Sequence, residues 1–137
     1  MKISYENLKI IKNEKGNIIK YFSINSKHYN KFGEIYFSEI KKNKIKAWKM
    51  QKKNSLNLAV PVGKVKFVFY DRFYNLLNSI IIDKKNFKLI NVPPFIWYGF
   101  QGLEKINLIS NFIEDIHNDN DIVNLDLTEI DHDWSKS

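Results

Sequence analysis

Moving a proton or holding an anion requires side chains that carry a charge or a transferable hydrogen. Lys49 and Gln51 in KIKAWKMQKK and Tyr98 in VPPFIWYGF occupy runs that read as strands. A lysine desolvated beside another cation can act as a base near neutral pH; kept charged, it can bind a phosphate or simply face solvent. A tyrosine hydroxyl can deliver a proton, and an amide can donate and accept hydrogen bonds at once. Lys46 and Arg72 are candidates for a pyrophosphate, with ordinary surface charge as the competing reading. Asn57, Tyr36 and Ser38 can bond sugar-like hydroxyls, and Trp48, Trp97 or Tyr98 can stack on a flat ring, although aromatic residues more often form core.

These candidates lie on or beside residues 44–71, where two alternating runs join through Pro61, Val62 and Gly63. Successive strand residues point to opposite faces. Strict alternation puts Ile45, Ala47, Lys49 and Gln51 on one face and Lys44, Lys46, Trp48 and Met50 on the other. It therefore turns Lys46 away from Lys49 unless a second subunit completes the site. In a small β-barrel, such alternating positions near the mouth are where a small-molecule site belongs.

The rest of the chain supplies the barrel. Residues 3–12 and 18–24 read as a hairpin around NEKGN, 25–33 as a polar loop, and 34–40 as a strand with Tyr36 and Ser38 on one face. Val65, Phe67 and Phe69 form one face of a strand ending near Asp71. Residues 71–78 read as a loop and 79–83 as a strand, and Phe87 to Val92 runs into the bend at Pro93 and Pro94. Strands over 97–100 and 105–112 follow, then a polar tail in which Trp134 can fold back on the body. Many short strands with frequent turn signals predict an all-β barrel or sandwich with little helix, at most a short turn near 121–130.

Composition narrows the functional classes. With 137 residues, 44% of them hydrophobic, the chain is long and apolar enough for one domain with a true core. Cysteine is absent, which removes disulfides and thiolate metal sites. The first ten residues lack a signal-peptide pattern and no run approaches membrane-spanning length, so a soluble cytoplasmic protein is expected, without a membrane partner. The net charge of +7 divides into a basic body and an acidic tail after residue 113. Seven lysines between Lys41 and Lys53 suggest a nucleic-acid footprint, but Arg72 is the single arginine, and base readout relies on arginine. Nucleic acid is therefore not the expected partner.

GEIYFSEI, KIKAWKMQKKNSLNLAVPVGKVKFVFYD, VPPFIWYGFQGLEKINLISNFIEDIHND and the closing IDHDW, in that order over residues 33–134, resemble the dTDP-4-dehydrorhamnose 3,5-epimerase-like cupins. The spacing from Lys46 to Gly63 is also similar to that of the related dTDP-sugar 3,4-ketoisomerases. The resemblance implies a cupin-type double-stranded β-helix, or jelly-roll, in a single domain over 1–137. Within it, 1–32 form N-terminal strands, 33–113 the barrel core and 114–137 an acidic C-terminal segment. It further implies a homodimer that shares strands, a deoxythymidine-diphosphate sugar as ligand, and a role in making surface polysaccharide.

Departures from the family pattern bear on its chemistry. The family's proton-abstracting histidine falls at Lys49, and the second histidine of the ketoisomerases falls at Gln51. The epimerases' acidic tyrosine falls within 111–117, where this chain has no tyrosine. Metal-binding cupins resemble one another in offering three histidines and a glutamate; here the matching positions are Lys49, Gln51, Ser55 or Leu56, and Tyr98. Protonated lysine is a poor ligand and the others make no conventional set, so no metal and no cofactor is expected. His28, His117 and His132 all read as surface residues, except that the resemblance brings His117 close to the barrel mouth.

Two functions follow. The first is an epimerase or ketoisomerase that removes a proton beside the keto group of a nucleotide-linked 4-keto-6-deoxy sugar. Lys49 or His117 would be its base and Tyr98 its acid, with Lys46, Gln51, Asn57, Arg72, Tyr36 and Trp48 binding substrate. The second is a non-catalytic cupin that keeps the sugar-nucleotide pocket without the usual histidine.

Overall fold

The structure is a computed structural model that describes residues 2–135. Its strands are β1 (Ser4–Asn7), β2 (Ile10–Ile11), β3 (Ile18–Ile19), β4 (Glu34–Glu39), β5 (Ile45–Gln51), β6 (Leu56–Val62), β7 (Val65–Asp71), β8 (Leu76–Ile82), β9 (Lys88–Val92), β10 (Trp97–Gly102), β11 (Leu108–Ile113) and β12 (Ile122–Asn124). Ten of them form two five-stranded antiparallel sheets, ordered β1-β9-β6-β11-β4 and β12-β5-β10-β7-β8, while β2 and β3 make a separate hairpin. Among the described residues, helix is confined to 3₁₀ turns at Asp119–Asp121 and Leu127–Glu129.

Period-2 patterning drives the sheets together. Leu56, Leu58 and Val60 of β6, Val65, Phe67 and Phe69 of β7, and Ile90 and Val92 of β9 interdigitate in the space between them. Each such fully buried side chain contributes about 1.5–3 kcal/mol. The outer faces are covered by the chain's own ends. Across the first sheet lies the N-terminal segment, held by a 2.6 Å hydrogen bond between the Tyr21 hydroxyl and Ser110 Oγ and by Phe22 against Phe112, with centroids 4.6 Å apart. Over the second lies the C-terminal segment, where Ile130, Val123, Leu125 and Trp134 pack on Trp48, Val68 and Trp97.

Three sequence expectations change. Tyr98 pairs with Lys49 but the next residue, Gly99, pairs with Ala47, so Trp48 is an extra residue bulged out of β5. The bulge resets the alternation. Lys46, Lys49 and Gln51 come to one face, while Ala47, Trp48 and Met50 turn to the outer core, so Lys46 does not point away from Lys49. The loop expected over 71–78 shrinks to a turn at 72–75. β7 runs to Asp71 and β8 begins at Leu76, around a turn in which Asp71 Oδ1 accepts from the backbone N–H of Phe73 at 3.0 Å. Leu76 and Leu77 are exposed on the sheet edge, which erases the alternation that marks a half-buried strand. Finally, β1 and β12 complete the two sheets, so the barrel draws on residues outside 33–113.

Candidate active site

Between the edge strand β4 and strand β5 lies a cavity of about 370 Å³. From β4 come Glu34, Tyr36 and Ser38; from β5, Lys46, Lys49 and Gln51; from β10, Tyr98 and Phe100. The segment after β11 brings His117 to the rim, and β12 adds Ile122. The cavity continues inward over an apolar floor of Leu56, Leu58 and Ile109 beneath the two tyrosines.

Hydrogen bonds hold the polar lining in place. Gln51 Nε2 donates to the Tyr98 hydroxyl at 3.0 Å, and both side chains are buried. Asn111, on β11 directly opposite Tyr36, donates from Nδ2 to the Tyr36 hydroxyl at 2.8 Å. Burial pushes the Tyr98 phenol up to about 12; its bond from Gln51 works against that and the neighbouring Tyr36 adds to it. Tyr36 is raised too, chiefly by burial and slightly by Glu34, with the Asn111 bond opposing. Both hydroxyls therefore keep their protons at neutral pH.

At the rim, the His117 backbone N–H donates to Glu34 Oε1 at 2.9 Å, and its ring Nε2 lies 2.8 Å from Asp119 Oδ1. Lys46 Nζ donates to the Glu39 carbonyl at 2.8 Å, and Lys49 is exposed. The arrangement thus combines two cations, an imidazole paired with a carboxylate, and two protonated phenols. It can bind an anion at its mouth and exchange or donate protons deeper in. Among the described residues no group of three or more His, Cys, Asp or Glu side chains is placed to hold a metal ion. No helix among them is long and apolar enough to cross a membrane.

Seven candidates read from the sequence converge here: Lys46, Lys49, Gln51, Tyr36, Ser38, Tyr98 and His117. Three do not. Trp48 is buried in the outer core, where its indole N–H donates to the Leu127 carbonyl at 3.1 Å. Asn57 spends its side-chain amide on the Phe112 carbonyl and on Asn91 Nδ2, both at 2.9 Å, so it braces the sheet and does not line the cavity. Arg72, in the β7–β8 turn, lies over the Trp97 ring at 5.6 Å. Trp97 itself is buried in the outer core, away from the cavity. Of the histidines expected on the surface, His132 is half-buried edge-on to Trp134, with centroids 5.0 Å apart.

Sequence reasoning missed Glu34, Phe100, Asn111 and Asp119. Glu34 and Phe100 share strand parity with Tyr36 and Tyr98 respectively, a signal present in the sequence. Asn111 becomes visible only once β11 is paired with β4, and Asp119 only once His117 is placed.

No family model and no curated protein matches this chain. Solved structures do. A dTDP sugar isomerase from Desulfovibrio desulfuricans G20 superposes with a TM-score of 0.92 at 28% identity, covering 98% of this chain and 92% of its own. The dTDP-6-deoxy-D-glucose-3,5-epimerase of Legionella pneumophila Philadelphia 1, solved with dTDP-4-keto-L-rhamnose, gives 0.74 at 15% identity, covering 92% of this chain and 79% of its own. A sugar 3,4-ketoisomerase from Thermoanaerobacterium thermosaccharolyticum, solved with TDP, gives 0.76 at 12% identity, covering 88% and 86%. The last two likenesses are of fold. Together these matches bear out the all-β barrel and the resemblance read from the sequence.

Proposed function

We propose that this chain, which has the fold and the structural relatives of the dTDP-4-dehydrorhamnose 3,5-epimerase-like cupins, is an isomerase acting on a dTDP-linked 4-keto-6-deoxy sugar. Carrying this reading is one observation: two lysines, two tyrosines, a glutamine and a histidine, scattered in sequence between Tyr36 and His117, line a single cavity. Its size lies within the range of small-molecule sites, about 300–1,000 Å³.

Lys46 and Lys49, at the mouth, bind the diphosphate. Lys49 is exposed at the mouth, placed to meet an anion, and proton abstraction beside the carbonyl is assigned to His117. Asp119 on Nε2 orients the ring and leaves Nδ1 for the substrate. Electrons from the broken C–H bond move onto the carbonyl oxygen, and the enolate is reprotonated on another face or carbon, with Tyr98 as the acid. The proposal includes a homodimer working in the cytoplasm on precursors of surface polysaccharide.

A second reading, a binding protein without turnover, is favoured by the exposure of the His117–Asp119 pair, 44% and 95% at the side chains. Incubation with dTDP-4-keto-6-deoxyglucose in deuterated water separates the two. Deuterium at a carbon beside the carbonyl, seen as a mass increase and a lost proton resonance, is expected. Binding without exchange supports the second reading.

A further inference from the structure

We infer that Tyr36 and Tyr98 together form a two-hydroxyl donor site for the substrate's carbonyl, and then enolate, oxygen, which both hold until Tyr98 gives up its proton as the acid, and that Asn111 is the positioning residue that aims the Tyr36 proton at it. The inference rests on the isomerase reading for its ligand and on hydrogen-bond polarity for its geometry.

Asn111 faces two partners. Its Oδ1 lies 2.9 Å from the backbone N–H of Asn57. A backbone N–H can only donate, so the carbonyl end of the amide must face it and the NH₂ end must face Tyr36. The 2.8 Å contact is therefore one in which the Tyr36 oxygen accepts. A phenol has a single proton, and here it is not used on Asn111; it remains available to the cavity that Tyr36 lines. Gln51 stands in the same relation to Tyr98, donating from Nε2 to its hydroxyl at 3.0 Å.

The two tyrosines stand on strands of opposite sheets and line both the cavity and its apolar floor of Leu56, Leu58 and Ile109. Apolar surroundings strengthen hydrogen bonds to a developing charge, and donors fixed beforehand need no reorganisation as it forms. Burial keeps both phenols protonated, as donors must be. Each amide also feeds a hydrogen bond into the phenol oxygen, which polarises its O–H toward the cavity.

Asn111→Asp tests the positioning role. It retains an acceptor for Asn57 but presents Tyr36 with an oxygen, which takes the phenol proton and turns it from the cavity. Tyr36→Phe, which removes one atom, is the companion should the aspartate disturb folding. The probe is dTDP-4-keto-6-deoxyglucose carrying ¹³C at the keto carbon. Its bound carbonyl stretch is read by infrared difference spectroscopy, and its turnover by solvent deuterium exchange.

In the wild type the stretch moves to lower frequency. Either variant reverses part of that shift and lowers kcat about 100-fold with KM little changed. The double variant does no worse than Tyr36→Phe alone. Wild-type frequency and kcat in both variants, or a change confined to KM, overturns the donor site and leaves the isomerase reading intact. A wild-type protein that shifts the carbonyl band in the tyrosine-dependent way but exchanges no deuterium supports the donor site and removes the isomerase reading. Failure of this sugar nucleotide to bind removes both.

Discussion

Tyr98 holds its proton because ionising it would leave a phenolate among Phe67, Phe69 and the other residues of the inner core. With its pKa raised from 10 to about 12 on folding, the sign of its effect on stability follows. The contribution is complete below the unfolded value and is lost as pH rises through the folded one. Wild-type protein is predicted to lose on the order of 2–3 kcal/mol between pH 10 and 12 from this group. Tyr98→Phe, less stable at neutral pH because buried Gln51 loses its partner, removes that part of the alkaline slope in urea titrations. Lys49→Ala separates anion binding from proton abstraction. Affinity for dTDP is expected to fall about 10-fold, more steeply at low salt, with deuterium exchange at saturating substrate preserved. At this scale the sequence was informative about residue type and poor on direction. Lys49, Gln51 and Tyr98 are polar or ionisable groups inside strand patterns, which exposes them to reading. Asn57 and Trp48 satisfy the same criteria but face outer layers that only the folded chain defines.

The bulge at Trp48 is the element on which the site's composition depends. A regular β5 would bring either Lys46 or the pair Lys49 and Gln51 to the cavity, not all three. Opposite it, Gly99 lacks a side chain where a Cβ would meet the Ala47 Cβ at 2.6 Å and the Trp134 ring at 3.2 Å. The small residue thus lets the bulged strand and the C-terminal segment close on one spot. Gly99→Ala is predicted to cost about 1–3 kcal/mol in urea denaturation and to alter the fluorescence of Trp134. A regular alternation can be read from a sequence, but an inserted residue shows only as a change of phase, and aromatic Trp48 carries no local mark of it. The start of the edge strand β8 read as loop because Leu76 and Leu77 face solvent, whereas its end, read as a strand from residue 79, carries the buried Ile82.

Across the whole molecule, each sheet buries one face against the other and has the opposite face covered by a chain terminus. The second layer is not ornamental. Trp48 is 1% and Trp97 4% exposed because residues 122–134 lie over them. A chain truncated after residue 121 is expected to expose that apolar surface, bind a hydrophobic dye and lose cooperative thermal unfolding, since its second core loses Ile130, Val123, Leu125 and Trp134. The barrel class and most of the strands were legible from turn spacing and apolar alternation, whereas β1 and β2 read as one strand and β12 did not read as a strand. The sheet order was not: β9 sits between β1 and β6, and β11 between β6 and β4, pairings set by long-range packing with no local signature. That His117 reaches the cavity follows from this topology, which brings the segment after β11 past the edge of β4.

The central claim is that the cavity between β4 and β5 removes a proton beside a keto group, with His117 as base. Its most direct test is the rate of deuterium incorporation from solvent into dTDP-4-keto-6-deoxyglucose by wild-type protein and by His117→Ala, with dTDP affinity measured on the same samples. The account predicts catalysed exchange in the wild type, at least 100-fold slower in the variant at about equal affinity. Wild-type protein that binds without exchanging, or a variant that exchanges as fast as the wild type, would contradict it.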